Sequence, residues 1–99
     1  MLNHVELQGK VENVRRGENN GRTLALFDLV HTRAFSTDTD RFSCIIPADW
    51  AAIPFLGAAK DGRTVIITGR LRTNEQGGGV EIVCETADFV DGRKRGDGS

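Results

Sequence analysis

The sequence predicts an all-β fold, a five-stranded Greek-key barrel with one short helix between the third and fourth strands. Five separate segments alternate apolar and polar residues with the period of two that is typical of strands with one buried face. Only residues 47–62 are rich in alanine and lack this alternation. The 99 residues are enough for one modest core. We therefore expect one domain over residues 1–91 and a short disordered basic tail over residues 92–99.

The first two strands are separated by a polar run. Residues 5–11, "VELQGKV", place Val, Leu and Val on one face, and residues 25–31, "ALFDLVH", do the same with Ala, Phe and Leu. Between them lies "RRGENNGR", whose Asn20-Gly21 pair can supply the positive φ angles of a tight turn. The pattern predicts a hairpin with a polar connection.

The third strand, residues 41–47, reads "RFSCIIP". Alternation places Phe42 on the same face as Cys44 and Ile46. The periodicity favours burial of that face, because an apolar strand residue is usually buried. The alternative leaves Phe42 on an open sheet surface, where a flat aromatic ring could stack on a ligand. Alternation alone therefore predicts a buried Phe42, and an outward ring needs a separate argument.

Residues 47–62, "PADWAAIPFLGAAKDG", predict a short or kinked helix. Asp49 can cap its N-terminus, Asp61-Gly62 can end it, and Pro54 interrupts it. Its expected buried contacts are Trp50, Ile53 and Leu56.

The last two strands are residues 63–73 and residues 80–90, joined by "NEQGGG". The complete order is therefore three strands, a helix and two strands. This is the element order of the OB-fold, a partly open five-stranded Greek-key barrel.

Composition excludes several classes of protein. The formal net charge is −1, from 13 basic and 14 acidic residues, so the basic balance typical of nucleic-acid binding is missing. No apolar run approaches the ~20 residues of a membrane helix. The N-terminus has no signal-peptide pattern. We expect a cytoplasmic protein without membrane contact.

The two cysteines, Cys44 and Cys84, lie inside strand-like segments, where a reduced and buried thiol is typical. Together with His4 and His31 they form no recognised metal-ligand spacing. We expect no metal and no cofactor. The sequence also offers no nucleophile paired with a base, no phosphate-binding loop and no cluster of carboxylates with arginine, so an enzyme is not expected.

Three stretches resemble bacterial-type single-stranded DNA-binding proteins, the SSB family. "MLNHVELQGKV" is similar to the opening of the family, "LALFDLVHTRAF" to its second strand and "DGRTVIITGRLRT" to its fourth strand. Together they cover most of residues 1–90 in the order and spacing of the family. The resemblance implies an OB-fold that binds single-stranded DNA (ssDNA) without sequence preference in DNA replication, recombination or repair.

The resemblance also implies site residues. Phe35 and Phe42 correspond to aromatics that stack on bases, and such stacking is worth roughly 1–3 kcal/mol per base. Phe42 is therefore expected to face outwards. Basic side chains expected to contact phosphates are Arg33, Arg41, Arg70 and Arg72.

Departures from the family pattern bear on partners. A second stacking position of the third strand falls near Ala48, and the sequence stops at "GRKRGDGS" without the acidic, Phe-tipped motif that recruits replication proteins. Weaker ssDNA binding is expected. The family also implies a homo-oligomer, a dimer or tetramer, that pairs through its first strands.

Two other functions remain open. The chain could be a primosomal replication-restart accessory protein, a related OB-fold dimer without the acidic tip. It could also be an OB-fold interaction subunit that binds no nucleic acid, because Glu81 and Glu85 could pair with the strand-four arginines. No small-molecule substrate is expected. The sequence does not distinguish DNA from RNA or fix the oligomeric state.

Overall fold

The computed structural model describes residues 2–73, 77 and 79–90. Its elements are β1 (Val5–Asn19), β2 (Arg22–Thr32), β3 (Thr39–Ile46), α1 (Asp49–Ala58), β4 (Thr64–Thr73) and β5 (Val80–Phe89). The strands form a closed barrel in the order β1-β2-β3-β5-β4. The predicted all-β fold with one helix between the third and fourth strands is confirmed. The expected basic tail lies outside the described residues.

The β1–β2 hairpin is longer than predicted. Asn19 pairs directly with Arg22, so both strands continue through the polar run that predicted a connection. Only Asn20 and Gly21 form the turn, with φ angles of 54° and 79°. A two-residue turn with positive φ at both positions matches the twist of the strands and fixes their register. The turn thus extends the pairing of β1 and β2 beyond the part of β1 that carries apolar side chains.

The barrel closes through two seams of unequal length. β1 and β4 are antiparallel over six residue pairs between Val5 and Lys10. β3 and β5 are parallel over only three, which are Ser43↔Glu81, Cys44↔Ile82 and Ile45↔Val83. Strands β4 and β5 approach closely at Gly69, where a Cβ atom would lie 2.1 Å from the Val83 carbonyl oxygen. Only glycine fits there.

The core occupies the barrel interior. Its largest fully buried side chains are Phe27, Leu29, Ile67, Ile82, Val11 and Val65. Phe55 of α1 lies between Phe27 and Phe89, with ring centroids 4.7 Å and 5.4 Å away. These three rings pack together at the end of the barrel below the helix.

The two cysteines are free and buried, as the sequence predicted. A hydrogen bond with Cys84, together with burial, raises the pKa of the Cys44 thiol well above its ordinary value. Cys44 is therefore a protonated interior side chain at neutral pH.

The helix is continuous across Pro54, without the predicted break. Proline removes the hydrogen bond to the carbonyl four residues earlier, here that of Trp50. Both residues lie on the solvent side of α1, so water can satisfy that carbonyl. The N-cap is Ala48, which makes no side-chain hydrogen bond, and Asp49 belongs to the first turn. The prediction that Asp49 caps the helix is wrong.

The buried face of α1 also differs from the prediction. Ala52 and Phe55 are buried, whereas Trp50 and Ile53 are 76% and 55% exposed. Leu56 is half-buried against the core. Because α1 is apolar on all sides, its periodicity does not indicate which face turns inwards. The expected burial of Trp50 and Ile53 is wrong.

Candidate nucleic-acid interface

An apolar strip of three residues crosses the outer face of the barrel; Leu26 and Ile45 are half-buried and Val83 is buried. Directly paired residues of neighbouring strands share one face of a sheet. Leu26 pairs with Ile45, and Ile45 pairs with Val83. The row continues to Arg15 on one side and to Arg70 on the other. The strip is therefore flanked by an arginine at each end.

The two flanking arginines are exposed and have no carboxylate partner in the described part of the chain. The Arg15 guanidinium donates to the Asn13 carbonyl oxygen at 2.7 Å, at the bulge where Asn13 has a φ of 56°. No hydrogen bond or ion pair joins the side chain of Arg70 to another described residue. Both charges are available to an anionic ligand.

The sequence analysis missed the arginines of the β1–β2 hairpin. Arg15, Arg16 and Arg22 all lie on this hairpin, and none forms an ion pair with a described carboxylate. Arg16 Nη2 donates to Thr23 Oγ1 at 3.1 Å. The signal was present in "RRGENNGR", which holds three arginines and one glutamate, but the run was interpreted only as a turn.

Arg41 lies on the outer face and is already paired twice. Its Nη2 lies 2.7 Å from Glu12 Oε1, and its Nη1 lies 3.1 Å from Asp28 Oδ2. The hydrogen bonds to Glu12 and then Asp28 raise the pKa of Arg41. In this arrangement Arg41 is shared between two carboxylates on the strand face and offsets one of their two negative charges.

Arg72 is also paired, in this case with one carboxylate. Its Nε donates to Glu81 Oε2 at 2.9 Å, and its Nη2 contacts the same oxygen. A phosphate that approached Arg72 would compete with this carboxylate.

Arg33 clamps the loop between β2 and β3. Its Nε donates to Asp40 Oδ2 at 3.0 Å and its Nη2 to Asp40 Oδ1 at 2.7 Å, a bidentate pair. This hydrogen bonding lowers the pKa of Asp40. The Arg33 backbone N–H also donates to the Asp38 carbonyl at 2.9 Å. The guanidinium is therefore used to hold the loop.

Phe35 lies at the tip of this clamped loop, fully exposed. Its φ of 59° lies in the left-handed region. That conformation costs a non-glycine residue about 1–3 kcal/mol and is common at functional sites. The loop thus holds an aromatic ring in solvent at a cost in backbone strain.

Phe42 does not face outwards. It pairs with Leu29, which is fully buried, and so shares the inner face of the barrel. Its ring is half-buried against the core. The expectation of an outward ring is wrong in orientation, because the alternation that buries Cys44 also turns Phe42 inwards. Part of the ring remains accessible in the middle of β3.

The closed barrel with a helix between β3 and β4 defines the class of the protein, which is the OB-fold. The structure is similar to that of the small single-stranded DNA-binding protein from Streptomyces coelicolor, with a TM-score of 0.79 and 17% identity over 94% of this chain and 98% of that chain. It is also similar to the dimeric N-terminal domain of PriB from Thermoanaerobacter tencongensis, with a TM-score of 0.73 and 24% identity over 89% and 96%. At these identities the similarities show the fold.

No protein-family model matches the sequence, and a search of the curated proteins finds no match. Within the described residues, no three His, Cys, Asp or Glu side chains are grouped so that they could hold a metal ion. None of the described helices has the length and apolar character needed to span a membrane.

Proposed function

We propose that this chain binds ssDNA without sequence preference. The observation that carries the proposal is Phe35, whose ring is fully exposed and whose backbone has a positive φ in a loop that the Arg33–Asp40 pair closes. Base–aromatic stacking tolerates any sequence because every base has a π-face. The fold similarity to a protein described as a small single-stranded DNA-binding protein supports the same function.

The arginines suggest the path of the strand. The β1–β2 hairpin and the Phe35 loop lie at opposite ends of β2, whose 11 residues span ~33 Å at the usual rise of a strand. The apolar strip crosses the face between them. We infer that ssDNA follows the outer face of β2 and β3, with phosphates near Arg15 and Arg70. OB-folds commonly bind oligonucleotides on this face and on the loop between strands 1 and 2.

The six residues predicted from the sequence take different roles in this proposal. Phe35 stacks on a base, and the accessible part of Phe42 extends the contact at the same end of the barrel. Arg70 contacts phosphate directly. Arg33 positions Phe35, and Arg41 reduces the repulsion from Glu12 and Asp28. Arg72 contacts phosphate only in competition with Glu81.

Titration of labelled oligo-dT at two salt concentrations, followed by fluorescence anisotropy, tests the proposal. We expect saturable binding to strands longer than about ten nucleotides, since an OB-fold covers roughly 4–16 nucleotides. Affinity should fall with salt, and a duplex of equal length should bind much more weakly. Absence of binding at low salt would reject the proposal. Binding of oligo-rU with equal affinity would extend it to RNA.

A second candidate is an interaction subunit that binds no nucleic acid. The pairing of Arg33, Arg41 and Arg72 with carboxylates favours it, because three of the four predicted phosphate contacts are already engaged. Failure of the oligo-dT titration would favour this function.

We further propose that the protein acts in DNA replication, recombination or repair, with a role as a replication-restart accessory as the alternative.

We also propose that the chain self-associates through β1. Residues 5–9 pair with β4, whereas the pairing of β1 with β2 begins only at Lys10. This leaves part of one edge of β1 available for another strand. Light scattering during gel filtration should give at least twice the mass of 10.8 kDa, and a monomer at all concentrations would contradict this assembly.

A further inference from the structure

A second concave surface lies away from the outer face of β2. It is a groove of ≈ 500 Å³ between α1 and β5. Apolar side chains form its walls, chiefly Ile46, Ala51, Phe55 and Phe89. Trp50 and Pro54 stand at its helix side, and both are exposed. A tryptophan that is 76% exposed beside an apolar groove marks a surface suited to another apolar group.

The strand that borders the groove has an open edge. β5 pairs with β4 from Val80 to Phe89, with one register shift at Glu85, which has no partner in β4. On its other side it pairs with β3 only as far as Val83. Beyond that point the described chain provides no strand beside β5, because β3 ends at Ile46 and α1 follows. The edge of β5 from residue 84 to 89 therefore faces the groove unpaired, and such an edge is a template for an added strand.

The charge of the groove is acidic. Glu85 and Asp88 line it and are exposed, whereas no lysine or arginine lines it. Arg63 lies nearby, over the Phe89 ring at 4.2 Å, and its Nη1 donates to the Ala58 carbonyl oxygen. An acidic rim repels phosphate and attracts lysine or arginine. The groove is therefore not a continuation of the proposed ssDNA surface.

Two occupants from the chain itself fit less well. A second copy seated by two-fold symmetry would bring the patch against itself, with Glu85 and Asp88 near their own equivalents. The segment after Val90, "DGRKRGDGS", carries basic residues that suit the rim but no apolar side chain that could fill the walls. A partner with both apolar and basic side chains satisfies the walls and the rim together.

We propose that this groove binds an extended segment of a partner protein, with alternating apolar and basic residues, that adds as a strand to the free edge of β5. Apolar side chains of the segment enter the groove beside Trp50, and its lysines or arginines meet Glu85 and Asp88. Backbone hydrogen bonds to β5 supply the register, as in other cases of strand addition.

Trp50 is the only tryptophan in the chain, so its fluorescence reports directly on the groove. The probe is a synthetic heptapeptide of alternating leucine and lysine, titrated into the full chain. We expect a saturable change in Trp50 emission. Two control peptides should each bind about tenfold more weakly. A peptide with glutamate in place of lysine loses charge pairing with the rim. A leucine–lysine peptide that is N-methylated at alternate backbone nitrogens loses hydrogen-bond donors to β5.

The variant E85K/D88K tests the charge of the rim. It should bind the leucine–lysine peptide about tenfold more weakly than the unmodified chain does. The matched control is E18K/D61K, which makes the same change of net charge on exposed residues that do not line the groove and should leave peptide affinity unchanged. If the N-methylated peptide binds as tightly as the unmethylated one, strand addition is overturned. This comparison uses the unmodified protein, so it does not depend on the folding of a variant. Equal binding of the glutamate peptide would overturn the charge argument.

The competing occupants give their own outcomes. If charge reversal of the end of the chain, R93E/K94E/R95E, changes Trp50 emission without peptide, the groove is occupied by that segment and the proposal is overturned. If Trp50 emission changes with protein concentration together with dimer formation, a second copy is the occupant, which also overturns it. An unchanged emission in both experiments supports a partner protein.

Discussion

Whether an arginine on this surface is free to contact phosphate depends on its neighbouring carboxylates rather than on its exposure. Arg33, Arg41 and Arg72 each contact at least one carboxylate, while Arg70 contacts none of the described ones. A sequence shows which strands carry arginine but not the pairs, because those depend on register between strands. Arg41 contacts Glu12, 29 residues earlier in the chain. Phosphate contacts predicted from sequence alone are therefore overestimated.

Replacement of Phe35 should separate binding from stability. Phe35→Ala removes an exposed ring, so ssDNA affinity should fall by about 1–3 kcal/mol while the free energy of unfolding stays almost unchanged. Phe35→Gly should lose the same affinity and gain roughly 0.5–1 kcal/mol of stability, because glycine adopts a positive φ without strain. Oligo-dT anisotropy and urea unfolding measure the two effects. Unchanged affinity in both variants would contradict a stacking role.

Phe42→Ala should behave differently. Its ring is half-buried against the core, so truncation should cost roughly 2 kcal/mol of stability, about half the cost of a fully buried phenylalanine. Urea unfolding measures the loss. A stability equal to that of the unmodified chain would show that the ring contributes little to the core. Here the alternation of the third strand predicted the orientation correctly, and the family resemblance led away from it.

The elements differ in how well sequence predicts them. The five strands follow from their period of two, but the length of the β1–β2 hairpin does not, because polar residues can be paired as well as apolar ones. The helix was predicted in its place, between β3 and β4. The orientation of the helix was not predicted. Trp50 and Ile53 are larger than Ala52, so the sequence favours their burial, but the shape of the barrel end places Ala52 inside.

The hairpin arginines should act together on ssDNA. Replacement of Arg15, Arg16 and Arg22 by alanine removes three exposed charges, so the slope of log affinity against log salt should decrease by up to about two units for single strands. Anisotropy over a salt series measures this slope. The control replaces Lys60 and Arg63, which lie beyond the helix, and should leave it unchanged. An unaltered slope in the triple variant would exclude the hairpin from the ssDNA path.

Two glycines provide a matched test of the packing of elements. Gly69→Ala should be strongly destabilising, because the added Cβ would meet backbone atoms of β5 at 2.1 Å. Gly57→Ala adds the same methyl group to the exposed side of α1, where nothing lies within 4 Å. It should stabilise the chain by roughly 0.5–1 kcal/mol through helix propensity. Thermal unfolding compares them. A tolerated Gly69→Ala would contradict the close approach of β4 and β5.

For the whole molecule, the closed barrel should keep its thiols unreactive. The hydrogen bond with Cys84 and burial raise the pKa of Cys44, so the thiol stays protonated, and unreactive as a nucleophile, at pH 8. A thiol-specific disulfide reagent should modify native protein slowly at that pH, and should modify two thiols per chain promptly after unfolding in guanidinium. Rapid modification of Cys44 in the native state would show that the interior opens readily.

The element order was sufficient to predict the overall architecture, because three strands, a helix and two strands have few ways to close one barrel. The closure itself was not visible in the sequence. It brings β3 beside β5 through three parallel pairs whose partners are 38 residues apart, as from Cys44 to Ile82. Such non-local pairs are not encoded in the periodicity of either strand.

The shortness of the β3–β5 seam has a consequence for folding. The β1–β2 and β4–β5 hairpins join neighbouring segments, so each closes a small loop at low entropic cost. The three β3–β5 pairs join segments from the middle and the C-terminal part of the chain, and they gain few hydrogen bonds in return. We expect this seam to form last and to open first, so that the amides of residues 43–45 exchange with solvent through partial opening while those in the middle of β2 exchange only on global unfolding.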